Sequence, residues 1–317
     1  MNKYLYFQDG HISGLNPSSR IDNFYEAWMA KFKEILVLAK EHKVDAIIDG
    51  GDLLDIPKVA DSIVDDILDL IEATGIPVYA LWGNHALIGH HIETSKNTSL
   101  RHMFRRCKLL KEAKDIKEKS HEIKFLDYDH NIEERIKTDG LIFDDKLSKP
   151  EPKFRVFVVH AFITPKPFLP TVLHVVADDI KTNAHLVLVA HYHAVWEKTV
   201  GRTKFLDIGC LGRRSISEAE IKPSCIILDF SQKSETINYK VIPLKSAKEG
   251  KDVFDLDAKE LEKSNERELE LFVNSLRDFK NQDLDVRGAI EYIGKEQNVE
   301  RAVIDRILEK LKEVQTT

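Results

Sequence analysis

The sequence predicts an α/β fold, and three observations predict it. Apolar runs of strand length alternate with amphipathic stretches of helical period through the N-terminal third. Each apolar run there ends on a short motif rich in Asp, Gly, Asn and His. Beyond the middle of the chain the β-prone runs become closely spaced, which predicts further strands.

Lys3 to Phe7 is the first β-prone run, and it ends just before Asp9. From Asp22 to His42 the spacing turns helical, with Phe24, Trp28, Phe32, Ile35, Leu36 and Ala39 on one face. Val44 to Ile48 reads as a second strand ending at Gly50-Gly51-Asp52, and Asp61 to Ala73 as a second helix through Ile63, Ile67, Leu70 and Ile71. Pro77 to Leu81 is a third strand, ending at Gly83-Asn84-His85. Strand–helix–strand–helix–strand is the pattern of a parallel sheet with right-handed crossovers, and such sheets gather ligands beyond the carboxyl ends of their strands.

Lys96 to Lys124 is basic, and it reads either as a solvated helix face or as a surface that contacts phosphate. Asp127 to Lys153 is polar, with a short apolar run at Leu141-Ile142-Phe143. Arg155 to Val159 is a strand ending at His160, and His185 to Ala190 another ending at His191. The runs Val195–Val200, Lys204–Ile208, Ser224–Phe230 and Thr236–Ile242 predict a second, more antiparallel sheet packed on the first. The boundary falls near residue 250: residues 1–250 form the main domain, and 251–317, charged and helix-periodic through Val303, Ile307, Leu308, Leu311 and Val314, form a small helical appendage. That apolar stripe is expected to pack on its own core, the alternative being a docking surface for a partner's coiled coil.

A chain of 317 residues with 43% hydrophobic content has enough apolar surface for a sizeable core. The formal charge of −6 argues against a protein that coats nucleic acid over its whole surface, but leaves room for a local basic groove. Three separated cysteines (Cys107, Cys210, Cys225) with no C-x-x-C pair indicate reduced thiols in a cytoplasmic protein rather than a disulfide framework or zinc knuckle. No apolar leader and no run of about 18 apolar residues suggests a membrane span. No Walker A loop is present, so an ATPase activity would have to come from a separate chain.

The chemistry lies in the motifs. Asp9, His11, Asp52, Asn84, His160, His191 and His193 are hard oxygen and imidazole donors suited to Mn²⁺, Fe or Zn²⁺. The lack of cysteine among them argues against a structural zinc site. A carboxylate such as Asp52 can bridge two ions, and paired ions stabilise both the attacking and the leaving oxygen of a phosphoryl displacement. Singly, His160 reads as a strand-end histidine, Asp55 as a helix N-terminal residue and Asn84 as a turn former. Jointly they have no structural reason to follow one apolar run after another.

Asp9-x-His11, Gly51-Asp52, Gly83-Asn84-His85, His160 and His191-x-His193 resemble the motifs of the calcineurin-like metallophosphoesterase superfamily over roughly residues 1–245. The resemblance implies a four-layer αββα sandwich and two divalent metal ions. Residue by residue, it implies that Asp9, His11, Asp52 and His193 hold one ion, and that Asp52, Asn84, His160 and His191 hold the other. His85 would be the catalytic, non-ligand histidine that stabilises the transition state or protonates the leaving oxygen.

Within the superfamily the chain is most similar to SbcD-type DNA exonucleases of double-strand-break repair and recombination. The similarity rests on Asn16-Pro17-Ser18-Ser19-Arg20, on Gly51 to Pro57, on Gly89-His90 and on Asp207 to Ser215. It implies a manganese-dependent nuclease in which a hydroxide between the two ions attacks a DNA phosphodiester, working as a homodimer with an SMC-like ATPase. Arg20, Arg101, Arg105, Arg213 and Arg214 are the candidate contacts to DNA phosphates. The sequence departs from the family pattern in three places. Ala86 stands where an acid often orients the preceding histidine. Ala190 replaces a glycine before the last histidine pair, and the C-terminal part is shorter and more helical than the family's cap. Two other readings stay open: a phosphoesterase acting on a small-molecule or protein phosphate, and a non-catalytic scaffold, which should have lost ligands that this chain keeps.

Overall fold

The computed structural model describes residues 2–144, 152–231 and 234–256, together with 301, 304–306 and 308. The chain divides into a unit of residues 1–168 and 174–255 and a second of residues 169–173 and 256–317. In the second unit, residues 301, 304–306 and 308 are helical, whereas Val303, Ile307, Leu311 and Val314 of the expected stripe lie outside the described residues.

The first strand shows how the main unit is layered. In β1 (Lys3–Phe7), Leu5 and Phe7 point into one apolar cluster and Tyr4 and Tyr6 into another, because successive side chains of a strand leave opposite faces. A strand buried on both faces reads as an unbroken apolar run, as parallel strands do. The helix α1 (Phe24–Glu41) begins at Asn23, whose side chain accepts a hydrogen bond from the Glu26 N–H at 3.1 Å. The predicted face of α1, from Phe24 to Ala39, is buried against β1 and its neighbours. Then follow β2 (Ala46–Asp49), α2 (Asp61–Thr74), β3 (Val78–Ala80), α3 (Ser99–Arg106) and β4 (Leu110–Glu112). β1, β2, β3 and β4 are adjacent and parallel. The helix α2 stops at Gly75, which takes φ 71°, the left-handed end that glycine adopts without strain.

The chain then crosses to a second sheet through β5 (Ile116–Lys117), β6 (His121–Leu126), α4 (Ile132–Asp139), β7 (Phe154–His160), the short pair β8 (Ile163–Thr164) and β9 (Val175–Val176), β10 (Leu186–Ala190), β11 (Val195–Val200) and β12 (Thr203–Ile208). It returns to the first sheet with β13 (Ser224–Asp229) and β14 (Asn238–Pro243), which add antiparallel to its β1 edge. The two six-stranded sheets therefore run β14-β13-β1-β2-β3-β4 and β11-β12-β10-β7-β6-β5. Tyr4, Tyr6, Ile48, Val156, Val158, Leu186 and Leu188 fill the space between the sheets. The first sheet's outer face carries α1 and α2, and the second's carries α4 through Ile132 and Ile136, which completes the four αββα layers.

Two expectations are corrected. The second sheet is parallel through its four central strands and antiparallel only at β11 and β5. Hairpin spacing revealed β11–β12 and β13–β14 but could not show that the second hairpin belongs to the first sheet. The basic stretch from Lys96 to Lys124 is not one helix face: it holds α3 and then β4, β5 and the first part of β6. The apolar run Leu141–Phe143 makes a single parallel bridge, from Leu141 to Thr182. Among the described residues no helix is long and apolar enough to cross a membrane.

Candidate metal centre

The motifs leave the strand ends and turn sharply. Asp9, His11, Asp52, His191 and His193 take φ of 50°, 50°, 53°, 98° and 59°. Few non-glycine residues occupy this region, and Asp and His are among those enriched there. Such strain concentrates where function fixes a geometry. The turns brace one another, with the N–H groups of Asp9, His11 and Ile12 donating to the carbonyls of Gly51, Asp52 and Leu53 at 3.1, 2.8 and 3.0 Å. Trp28 of α1 pins the first turn through an Nε1–H bond to the Gly10 carbonyl at 2.8 Å. Two glycines make room: a Cβ at Gly51 would lie 2.4 Å from His160 Nδ1, and one at Gly83 would lie 2.1 Å from Asp52 Oδ1. These approaches explain the glycine in front of Asp52 and of Asn84.

The structure brings all seven expected donors together. Ligand atoms of Asp9, His11 and His193 lie within 4.8 Å of one another, as do those of Asp52, His160 and His191. Asp52 Oδ2 stands between the two groups, 3.9 Å from His11 Nε2 and 3.2 Å from His160 Nε2. Asn84 Oδ1 joins the second group, 3.3 Å from His160 Nε2. Asp9 Oδ1 and Asp52 Oδ2 are buried and accept no hydrogen bond. His11 Nε2 and His193 Nε2 face each other at 2.9 Å, so a proton or a cation must lie between them. Orphaned carboxylate oxygens converging with imidazole nitrogens match what a divalent cation requires.

The outer ring nitrogens of His160 and His193 are committed, which aims the inner ones. His160 Nδ1 donates to the Gly50 carbonyl at 3.0 Å, and His193 Nδ1 lies 2.8 Å from Glu218 Oε1. Such partners fix tautomer and ring angle. Electrostatics follow the same plan. Burial opposes the charge on Asp52, yet His160, His85 and His11 hold its carboxyl well below the usual range. His160 is likewise disfavoured as a cation by burial, but Asp52 raises it to about 9. Burial, with His160 nearby, takes His191 down to about 3. Behind the centre, Gln8 Nε2 donates to Asp9 Oδ2 and to Asp207 Oδ1, while burial pushes the carboxyls of Asp49 and Asp207 well above the usual range.

His85 is differently placed. Its Nδ1 lies 2.9 Å from the Asp55 carbonyl, which can only accept, so Nδ1 carries the proton and Nε2 stays uncommitted. Its backbone N–H donates to Asp52 Oδ1 at 2.9 Å, and its side chain is 39% exposed. Ala86 is buried in the core and offers no partner, but Asp55 does so from another turn. Asp55 Oδ1 lies 3.5 Å from His85 Nδ1, 3.4 Å from His11 Nδ1 and 2.6 Å from Arg214 Nη1. The sequence displayed Asp55, but read alone it passed as a helix N-terminal residue. Glu218 was missed altogether; its one sequence signal is the capping box Ser215-x-x-Glu218.

The arginines separate by burial. Arg20 is buried and donates to Asp22 and to the carbonyls of Gly212 and Arg213. Arg213 is buried too, and donates to the carbonyls of Ala219, Ile221 and Lys248. Arg101 pairs with Glu112 and lies over the Trp82 ring. The guanidiniums of Arg20 and Arg213 serve the fold rather than an open surface, because burying a cation demands such partners, whereas Arg101 is half-buried. Arg105 is exposed on α3, and Arg214 is half-buried at the centre beside Asp55.

A family model described as Calcineurin-like phosphoesterase matches residues 11–195, more than half of the chain. Among curated proteins, the chain is 24% identical over 250 residues to the DNA double-strand break repair protein Mre11 of Methanosarcina mazei. That alignment covers 77% of this chain and 39% of the relative, so the chain spans about two fifths of the relative's length. Among solved structures it is similar to a Thermus thermophilus protein (TM-score 0.43, 12% identity, 75% of this chain and 98% of that one). It is also similar to a dimetal phosphatase from Danio rerio (TM-score 0.45, 11% identity, 77% and 99%).

Proposed function

The chain belongs to the calcineurin-like phosphoesterase family, hydrolases of phosphoester bonds, and on that premise we propose that it is a metal-dependent DNA nuclease of the SbcD type. The observation that carries the hydrolytic part is the convergence of Asp9, His11, Asp52, Asn84, His160, His191 and His193 with His85 left free at Nε2. The DNA part is supported by the Mre11 relative and by His85 and Arg214, whose side chains at the centre reach solvent.

Asp9, His11, Asp52 and His193 would hold one divalent cation, and Asp52, Asn84, His160 and His191 the other. Bound there, Mn²⁺ ions would supply Lewis acidity and lower the pKa of water. The protein's own groups do the rest. Glu218 and the Gly50 carbonyl hold two imidazoles in the tautomer that leaves Nε2 available. Arg214, fixed by Asp55, binds a phosphate oxygen of the strand. His85 Nε2 meets the departing sugar oxygen or the charge growing on the phosphoryl group. The implied partners are DNA, a second copy of the chain and an SMC-like ATPase.

A second reading, a phosphatase for small-molecule or protein-borne phosphomonoesters, gains from the inward turn of Arg20 and Arg213. The test pairs a phosphodiester with a phosphomonoester, alongside linear DNA, with Mn²⁺ present. The nuclease reading expects diester and DNA cleavage lost in His85→Ala, and DNA affinity that weakens as salt rises. Monoester turnover without any cutting of DNA would overturn it.

A further inference from the structure

We propose that Cys210, Glu218 and the outer ring nitrogen of His193 form a third site, for a thiophilic divalent cation of the Zn²⁺ or Cd²⁺ class, and that filling it draws His193 away from the first ligand group. The site stands whatever ester the centre hydrolyses.

A ring nitrogen of His193, the Cys210 sulfur and a Glu218 carboxylate oxygen lie within 4.8 Å of one another. Three segments supply them: the turn after β10, the turn after β12 and the single helical turn Ile216–Glu218. Glu218 is fixed through one oxygen. Its Oε2 accepts from the N–H groups of Arg214 and Ser215 at 2.6 and 3.0 Å, which leaves Oε1 facing His193 Nδ1 at 2.8 Å. Bonds of about 2.0–2.3 Å place tetrahedral zinc ligands roughly 3.3–3.6 Å apart, so a small opening of that pair admits the ion. The His193 side chain is 23% exposed, which gives the ion a way in and a water for its fourth position.

Cys210 is not a core filler. Cys107 and Cys225 pack in the apolar cluster that α1 and α2 cover, whereas Cys210, equally buried, belongs to none of the three apolar clusters of the described residues. Its neighbours are charged groups: His193, Glu218, Arg20, Lys31 and Arg213. A thiolate and a carboxylate together balance a divalent charge, so the filled site adds no net charge to that setting. Burial pushes the free thiol up to about 12, which makes it a poor target for oxidation, a reaction of the thiolate. A metal ion displaces the proton outright.

Softness sorts the two kinds of cation. The seven donors of the centre are oxygens and imidazole nitrogens, whereas a thiolate selects a softer ion than Mn²⁺. With Nδ1 on that ion, a neutral His193 carries its proton on Nε2, the atom turned toward His11 and the first group. Occupation of the third site therefore weakens the first.

The experiment titrates the full chain with Cd²⁺, whose bond to a thiolate gives an ultraviolet charge-transfer band that oxygen and nitrogen ligands do not. The wild type should show the band and Cys210→Ser should lose it. The double substitution Cys107→Ala with Cys225→Ala, which keeps only Cys210, should retain it. Calorimetry with Mn²⁺ reads the coupling. Cys210→Ala should bind Mn²⁺ as the wild type does but need about tenfold more Cd²⁺ to halve that binding, since losing even a ligand's supporting partner costs that much. A wild type without the band, a band that survives in Cys210→Ser, or equal Cd²⁺ competition in Cys210→Ala and the wild type would each overturn the proposal. Should the Cys210 variants fail to bind Mn²⁺, the double substitution decides: a band lost there belongs to another sulfur and overturns the site, and a band kept there supports it.

Discussion

Asp55 acts on the centre through its neighbours. One carboxylate oxygen reaches His11, His85 and Arg214, and the same residue's carbonyl takes the His85 Nδ1 proton. Asp55→Asn keeps the shape and the carbonyl but removes the charge. We expect Mn²⁺ affinity to fall about 10- to 100-fold, with diester turnover falling alongside, as when a ligand's orienting partner is lost. Calorimetric titration beside a diester assay checks this, and two unchanged values would remove Asp55 from the role. Glu218→Gln should weaken Mn²⁺ binding through His193. At this scale the sequence displayed the ligands better than their supports. Ligands must be particular residue types at strand ends, so Asp9, Asn84 and His191 could be read directly. Supports need only be near in space: Glu218 stands 25 positions from His193, and folding alone pairs them.

The element that joins these supports is the turn after β12. Its Leu211 and Gly212 N–H groups donate to the carbonyls of Gln8 and Asp9 at 3.1 and 3.0 Å, and its own carbonyls accept from Lys31 of α1 and from Arg20. Burial takes Lys31 from 10.5 down to about 7. Between those values the unfolded chain holds a proton that the folded chain has shed, so this group makes stability rise with pH from about 7 to 10.5. Below pH 7 the lysine is charged in both states and its burial counts fully against the fold. Lys31→Met should therefore flatten the dependence of Tm on pH between 7 and 10, by several degrees across the window; parallel curves for variant and wild type would refute this. Among the elements, β1, β2, β3, α1 and α2 were legible because apolar runs and helical periods are local signals. The strands β4 and β5 were not, being two or three residues long and rich in charge, so that pairing with β3 and β6 rather than a local apolar pattern makes them β. The placement of β13 beside β1 was equally hidden, since pairing residues more than two hundred positions apart leaves no local trace.

For the whole molecule, the centre concentrates negative charge at the place where both sheets end. Asp9, Asp52 and Asp55 are buried within it as carboxylates, in a chain that already carries a net −6. Buried charges are tolerated only when paired, and here protonated histidines supply part of the pairing. Divalent cations would supply more, and only the folded chain assembles the site, so binding adds directly to folding stability. At Mn²⁺ about a hundredfold above its Kd the gain is about 2.7 kcal/mol per site. For a domain of this size that corresponds to a rise in Tm of roughly 5–10 °C, reversed by a chelator. Asp52 stands between both ligand groups, so Asp52→Ala should abolish the rise, whereas Asn84→Ala should leave the part contributed by the group of Asp9, His11 and His193. Melting curves of the three proteins with and without Mn²⁺ decide the matter. A wild type indifferent to the ion would mean that the converging carboxylates and imidazoles do not hold metal, and an equal rise in Asp52→Ala would mean that Mn²⁺ binds elsewhere.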